Sequence, residues 1–377
     1  MSGIFFAAIS LVACTVGQVF KYQADAPAVV SLPISEAGIK DDRNAFSEFF
    51  QYELETSAHP PLGTIGEWLH RPLTRVSQPS PARMTPPRLD RERAAAVSLL
   101  IVPGFLGDCV DQQSVPFGDG IIRDRVATYT QSYGLYTDLG LNSIRAIHVH
   151  GRADSSTNGA IIAAELTSEA ARDDIDTIIV VAYSKGVPDT LHAVKLLEST
   201  HQLSPKVRAV VSVAGIVMGT PIADKHTDMY NLLGGALRIV DCSISHGGEI
   251  TSLSRKVRTL WLSQNALPKQ IEYYSLVAHA SRDRIAPGLI VFYDELSVFD
   301  PHNDGQVIMA DAILPNSTLM GELISDHWDF VLPLHRHPSS LIRKLTSGRD
   351  FPREELFRAT IKYVMTTLRY PGYAGPF

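Results

Sequence analysis

The sequence predicts an α/β protein, a doubly wound and mostly parallel sheet with helices on both faces, and two observations carry that prediction. Short, unbroken β-branched runs recur, at Ile178 to Val181 and Val207 to Val213 among others, the composition of strands buried on both faces of a sheet. Stretches of helical period stand between them, so the order reads β-α-β-α-β-α from residue 94 onward. With 377 residues, 45% hydrophobic and 20% charged, the chain has ordinary globular composition and room for one elaborated domain or two small ones. The formal net charge is −6 and no basic stripe is present, so nucleic acid is not an expected partner.

The chain opens on an apolar run, Ile4 to Ala13, that ends at Cys14. It is too short to span a bilayer and right for the core of a signal peptide. Leu11-Val12-Ala13-Cys14 resembles a bacterial lipobox, whose cysteine is lipidated and becomes the mature N-terminus. No Lys or Arg precedes the run, although signal n-regions are normally positive, so a buried N-terminal segment stays the alternative. The expectation is a signal or lipobox segment over 1–14 and export to the cell envelope, either tethered to the membrane through a lipidated Cys14 or secreted. Three cysteines make no disulfide framework and no C-x-x-C pair. In an oxidising compartment Cys109 and Cys242 could pair; as reduced, buried thiols they would stay apart.

Residues 15–93 read as an N-terminal extension. Phe46, Phe49, Phe50 and Tyr52 mark one amphipathic helix, and Ile65, Trp68 and Leu69 a short apolar patch. Val76 to Pro87 then carries four prolines, a connection running along the surface into the main domain at 94–377. No internal repeat is visible.

Ala94 to Val102 is the next buried strand, and it ends in Pro103-Gly104-Phe105-Leu106-Gly107. A helix over Ile121 to Tyr133 and a strand over Ile144 to Val149 follow. Ser155 to Asn158 supply capping oxygens for a helix through Ile161, Ile162, Leu166 and Ala170. His148 and His150 alternate on the strand and would face one side. Such a pair can bind a metal, but no nearby carboxylate completes a familiar spacing, and packing at a strand end is the simpler reading.

The segment Ile175 to Ser199 organises the rest. Its β-branched run passes at once into a helical stripe of Val187, Leu191, Val194 and Leu197, with Ala182-Tyr183-Ser184-Lys185-Gly186 between. A chain that turns from strand to helix within one residue strains that residue by about 1–3 kcal/mol. Small side chains two positions before and after it keep the bend open. Ser184 would project from the carboxyl edge of the sheet, above a helix N-terminus; the plainer alternative makes it only the N-cap.

These residues resemble the nucleophile elbow of the α/β-hydrolase superfamily, G-x-S-x-G, with Ala182 in place of the first glycine. The resemblance implies an oxyanion hole from the backbone N–H groups of Phe105 and Lys185, the residue after the serine. Related lipases carry His-Gly where this chain has Pro103-Gly104, a departure that leaves the amide intact. Ala214 to Asp224, with Gly219-Thr220-Pro221 inside it, resembles the turns that follow the next strand in bacterial lipases. From about 225 to 275 the β-α rhythm breaks, at the place where this fold inserts a lid or cap.

Leu289 to Val298 reads as a late strand leading to Asn303-Asp304-Gly305, which resembles the acid loop of bacterial lipases; Asp326-His327-Trp328-Asp329-Phe330-Val331 resembles their histidine loop. The order serine, acid, histidine is that of the fold, and the 23 residues from Asp304 to His327 leave room for a returning strand over Thr318 to Leu323. The implied triad is Ser184, Asp304 and His327. Asp283, Asp294, Asp300 and Asp311 compete for the acid, and His302, His335 and His337 for the base. Some of these lipases bind calcium through an aspartate two places after the histidine and another upstream. Asp329 and, loosely, Asp283 occupy such positions, although turn and surface roles suit both. Pro352 to Leu368 closes the chain as an amphipathic helix on one face of the sheet.

The chemistry that follows is cleavage of a small-molecule or lipid carboxylic ester through an acyl-enzyme, with no cofactor and no metal. Two alternatives keep the fold: an acyltransferase using the same triad, and a non-catalytic envelope protein.

Overall fold

The computed structural model describes residues 18–22, 29–33, 38–57, 64–70, 94–105, 139–141, 143–225, 248–332, 334–336 and 340–368. Cys14, Cys109, Cys242, the proline-rich connection and the expected helix over 121–133 lie outside them.

Strands β1 (Gln18–Tyr22) and β2 (Val29–Pro33) form an antiparallel pair of their own. The main sheet has seven strands: β3 (Lys40–Asp41), β4 (Val97–Val102), β5 (Ser143–Ala146), β6 (Thr177–Tyr183), β7 (Val207–Val213), β8 (Glu272–His279) and β9 (Thr318–Ile324). Their spatial order is β3-β9-β8-β7-β6-β4-β5, and every pairing is parallel. β4 connects outward to β5, while β6, β7, β8 and β9 run outward on the opposite side. The topological switch therefore falls between β4 and β6, and in open α/β sheets ligands bind at the carboxyl ends of the strands at such a point.

Strand alternation assigns the two layers. Ile179 and Val181 of β6, with Leu99 and Ile101 of β4, face a core built with α1 (Arg43–Thr56) and α8 (Arg353–Thr367), which follows the short α7 (Ser340–Leu345) in the chain; Phe46, Phe50, Phe357 and Ile361 are fully buried there. Ile178, Val180 and Ala182 face the other layer, formed by α2 (Ser155–Ala170) and α3 (Gly186–Ser199) through Ile162, Leu166, Val187, Leu191 and Val194. Residues before 94 thus contribute to the main domain: β3 pairs with β9, and α1 packs beside α8.

Three sequence expectations change. The run Leu289 to Val298 is α6 (Ile290–Leu296) with its flanking turns. Leu289, Tyr293 and Leu296 are buried while Val291 and Val298 are 70% and 82% exposed, so the spacing is helical and one-sided. The sheet strand is instead β8. The C-terminal part of the expected 225–275 cap therefore belongs to the core: α4 (Pro221–Lys225) is followed, past residues outside the description, by α5 (Arg255–Gln264), which leads into β8. Trp261 and Leu262 of α5 pack on the α2/α3 layer. The strand expected over 144–149 ends at Ala146, and His148 and His150 are exposed in the loop beyond it.

On that layer, His192 stacks on Trp261 with ring centroids 4.5 Å apart. Burial, then the Arg258 guanidinium, holds its pKa down at about 4 against an ordinary 6.5. The unfolded chain binds a proton there that the folded chain refuses, so stability is complete above 6.5 and falls as pH drops toward 4. His192→Gln is expected to flatten the acid-side decline of the melting temperature between these two pH values, measured by thermal denaturation.

Candidate active site

The site is assembled where β6 passes into α3. Ser184 has φ of +53°, in the left-handed region that side chains other than glycine avoid. Its backbone is held from three directions: its N–H donates to Val213 O (3.0 Å), and its carbonyl accepts from Val187 N (3.1 Å) and Ile216 N (3.2 Å). The bend lies flat against the loop after β4. A Cβ on Gly186 would stand 2.5 Å from Pro103 O and 2.7 Å from Val102 O, both rigid backbone atoms. Gly186→Ala is therefore expected to destabilise by about 1–3 kcal/mol through overpacking, read as a lowered denaturation midpoint. A Cβ on Gly104 would reach within 3.0 Å of Ser184 Cβ, which brings the segment bearing Phe105 beside the serine.

The Ser184 side chain does not cap α3, whose N-cap is Lys185. Its Oγ lies 2.8 Å from His327 Nε2, and His327 Nδ1 lies 2.7 Å from Asp304 Oδ2. All three residues are buried, at 5%, 3% and 0% exposure. Asp304 sits in a tight loop with Gly305 at φ of +87°. Its Oδ1 accepts from the N–H groups of Gln306 and Val307, both at 2.9 Å, leaving Oδ2 for the imidazole. The His327 N–H donates to Asp304 O at 2.8 Å, so the two loops are tied by backbone as well as by side chain. The competitors stand elsewhere: Asp294 pairs with Arg282 at the surface, Asp300 with His302, and Asp350 faces His335; Asp283 is exposed. His337 lies outside the described residues.

The flank of the serine is apolar. Phe105 packs on Ile216, Ala223, Ile250 and Leu253. The Lys185 side chain points the other way, with Nζ 2.6 Å from Asp189 Oδ2, both buried at 1% side-chain exposure. Asn158 Nδ2 donates to the same oxygen at 2.7 Å, joining α2 to the elbow helix.

A solved metagenomic carboxyl esterase is similar to this chain: 32% identity, 92% of this chain and 98% of that one covered, TM-score 0.74. The chain belongs to the α/β-hydrolase superfamily. This hydrolase also shares its fold with a Staphylococcus hyicus lipase, at 11% identity, 72% and 95% coverage and TM-score 0.51. No protein-family model and no curated protein matches it.

Sequence reasoning on this α/β hydrolase missed the support behind His327. Tyr183 Oη donates to His327 O at 2.7 Å, and its ring lies 5.1 Å from the imidazole. Burial, then the Asp304 and Asp326 carboxylates, pushes the phenol far up, which keeps it a neutral donor. Asp326 accepts from the N–H groups of Trp328 (2.9 Å), Asp329 (2.9 Å) and Ala286 (2.8 Å), fixing the turn that presents His327. Burial, and then the Asp329 carboxylate, pushes Asp326 up to about 8. The signal was the residue pattern D-H-W-D, in which an aspartate just before a turn is a local acceptor for the next backbone donors. Asp329 accepts from Ser347 Oγ and neighbours Arg353 and Arg349. Among the described residues, neither Asp329 nor Asp283 joins a group of three metal-donor side chains.

Proposed function

We propose that this protein hydrolyses carboxylic esters through an acyl-enzyme on Ser184. The observation that carries the reading is the continuous relay Ser184 Oγ, His327 Nε2, His327 Nδ1, Asp304 Oδ2, with both links under 2.9 Å and all three groups shielded from water. Ser184 Oγ attacks the acyl carbon as His327 Nε2 takes its proton. The tetrahedral oxyanion is received by the N–H groups of Phe105 and Lys185. Its collapse expels the alcohol, which takes the proton from His327; water then repeats the sequence and releases the acid. Asp304 holds the imidazole with Nδ1 protonated and offsets the charge it acquires. The 32% identical carboxyl esterase supports the ester class.

The apolar cluster of Phe105, Ile216, Ile250 and Leu253 beside the elbow supports a hydrophobic acyl group, small or lipid. Hydrolysis of a series of nitrophenyl esters tests this. Turnover that rises from acetate toward longer acyl chains supports the reading, and a flat profile or none opposes it. With this reading goes the proposal that the chain is exported, on the strength of the Ile4 to Cys14 pattern.

A further inference from the structure

We propose that His70, His279 and Glu322 form a binding site for a zinc-type divalent cation, distinct from the ester-cleaving centre. Among the described residues, this is the group in which three metal-donor side chains converge, with one donor atom from each lying within 4.8 Å of the others. The three come from separate stretches of chain. His279 ends β8, Glu322 lies in β9, and His70 arrives on the segment after Ile65–Glu67. That segment is laid along β9 by two hydrogen bonds, His70 N to Glu322 O at 2.8 Å and Ile324 N to Trp68 O at 2.9 Å.

The His70 and His279 rings are stacked nearly parallel, 4.4 Å apart at 7°, beside one carboxylate. One ring rotates out of the stack for both in-plane lone pairs to reach a single cation. Glu322 Oε1 lies 2.7 Å from His279 Nε2, while Oε2 is held by Arg43 Nη1 at 2.6 Å. The arginine thus fixes the carboxylate plane and leaves one oxygen for a cation, as outer partners of ligating carboxylates do.

Charge points the same way. Arg43 is already forked onto Asp41, through Nε to Oδ1 at 2.8 Å and Nη2 to Oδ2 at 2.7 Å. Two carboxylates share one guanidinium, so a negative charge remains at Glu322, 5% exposed, among imidazoles. A cation between Glu322 Oε1 and the two imidazoles answers that charge. The proton now in the Oε1···Nε2 contact passes to Nδ1 of the same ring or to solvent, and no other co-reactant is needed.

Two nitrogens and one carboxylate oxygen, with water as fourth ligand, are a zinc donor set; calcium and magnesium call for oxygens throughout. The site would clamp the 65–70 segment onto the carboxyl ends of β8 and β9. Ala280, next to His279, donates to Asn303 O at 3.3 Å, so the clamp sits one residue from the Asp304 loop.

The test uses the full chain without a histidine tag, stripped by chelator and dialysed, then titrated with Zn²⁺ by calorimetry and with Co²⁺ by absorption. The expected result is one equivalent bound, Co²⁺ ligand-field bands of a four-coordinate nitrogen and oxygen site, and a raised melting temperature. His70→Ala should weaken Zn²⁺ at least about tenfold, and His150→Ala should leave binding unchanged. Absence of Zn²⁺ binding by the parent overturns the proposal, as does binding that survives His70→Ala. Should His70→Ala fail to fold by circular dichroism, the parent's Co²⁺ spectrum decides, and one showing only hexa-aqua or surface-carboxylate coordination overturns it.

Discussion

Ser184→Ala is expected to abolish the pre-steady-state burst of nitrophenol from an activated ester and to lower kcat by about a millionfold, equivalent to about 8 kcal/mol of transition-state stabilisation. The size follows from geometry. The methyl group has no lone pair to attack and no proton for His327 Nε2 to take over the present 2.8 Å contact. His327→Ala should cost a similar factor, because a serine without its base is a poor nucleophile. The double variant should lose little more than either single one, since the two act as a unit. Stability should barely move in Ser184→Ala, because the elbow is held by the backbone bonds of Ser184 to Val213, Val187 and Ile216 and not by Oγ. Stopped-flow absorbance with circular dichroism of each variant checks all of this.

Asp304→Asn is expected to lower kcat by about ten-thousandfold, about 5.5 kcal/mol, in a protein that still folds. Oδ1 of residue 304 accepts two backbone N–H groups, from Gln306 and Val307. In asparagine only the amide oxygen can serve there, so the NH₂ group must turn toward His327 Nδ1. That nitrogen then becomes an acceptor, the ring proton moves to Nε2, and Nε2 faces Ser184 Oγ as a donor unable to take its proton. Were the rate loss due to collapse of the loop instead, the denaturation midpoint would fall with activity. Equal midpoints with a large rate loss, measured by urea denaturation and steady-state kinetics, support the tautomer account.

Much of this was legible in the sequence because the chemistry demands local patterns. The strand, bend and helix around Ser184 are contiguous, and their alternating and helical periods sort residues onto faces before any contact is known. The acid and histidine loops were visible as short turn-forming clusters, Asn303-Asp304-Gly305 and Asp326-His327. What stayed hidden was non-local. The Tyr183 phenol reaches the His327 carbonyl across 144 residues, and Arg43 reaches Glu322 across 279. Nothing in either local sequence announces such a partner. The helix α6 was misread because its apolar face and its exposed valines are adjacent in sequence, which looks like a buried strand until the 289, 293, 296 spacing is set against exposure. The span 225–275 resembled a cap because the β-α rhythm breaks there, although Trp261 and Leu262 of α5 pack on the core.

The measurement that tests the central claim most directly is active-site labelling. The full chain is treated with a fluorophosphonate and digested, and the modified peptide is located by mass spectrometry. The account predicts one phosphonyl group per chain, on Ser184, formed at a rate that collapses in His327→Ala. Label on another residue, or none while the protein still cleaves esters, would contradict it.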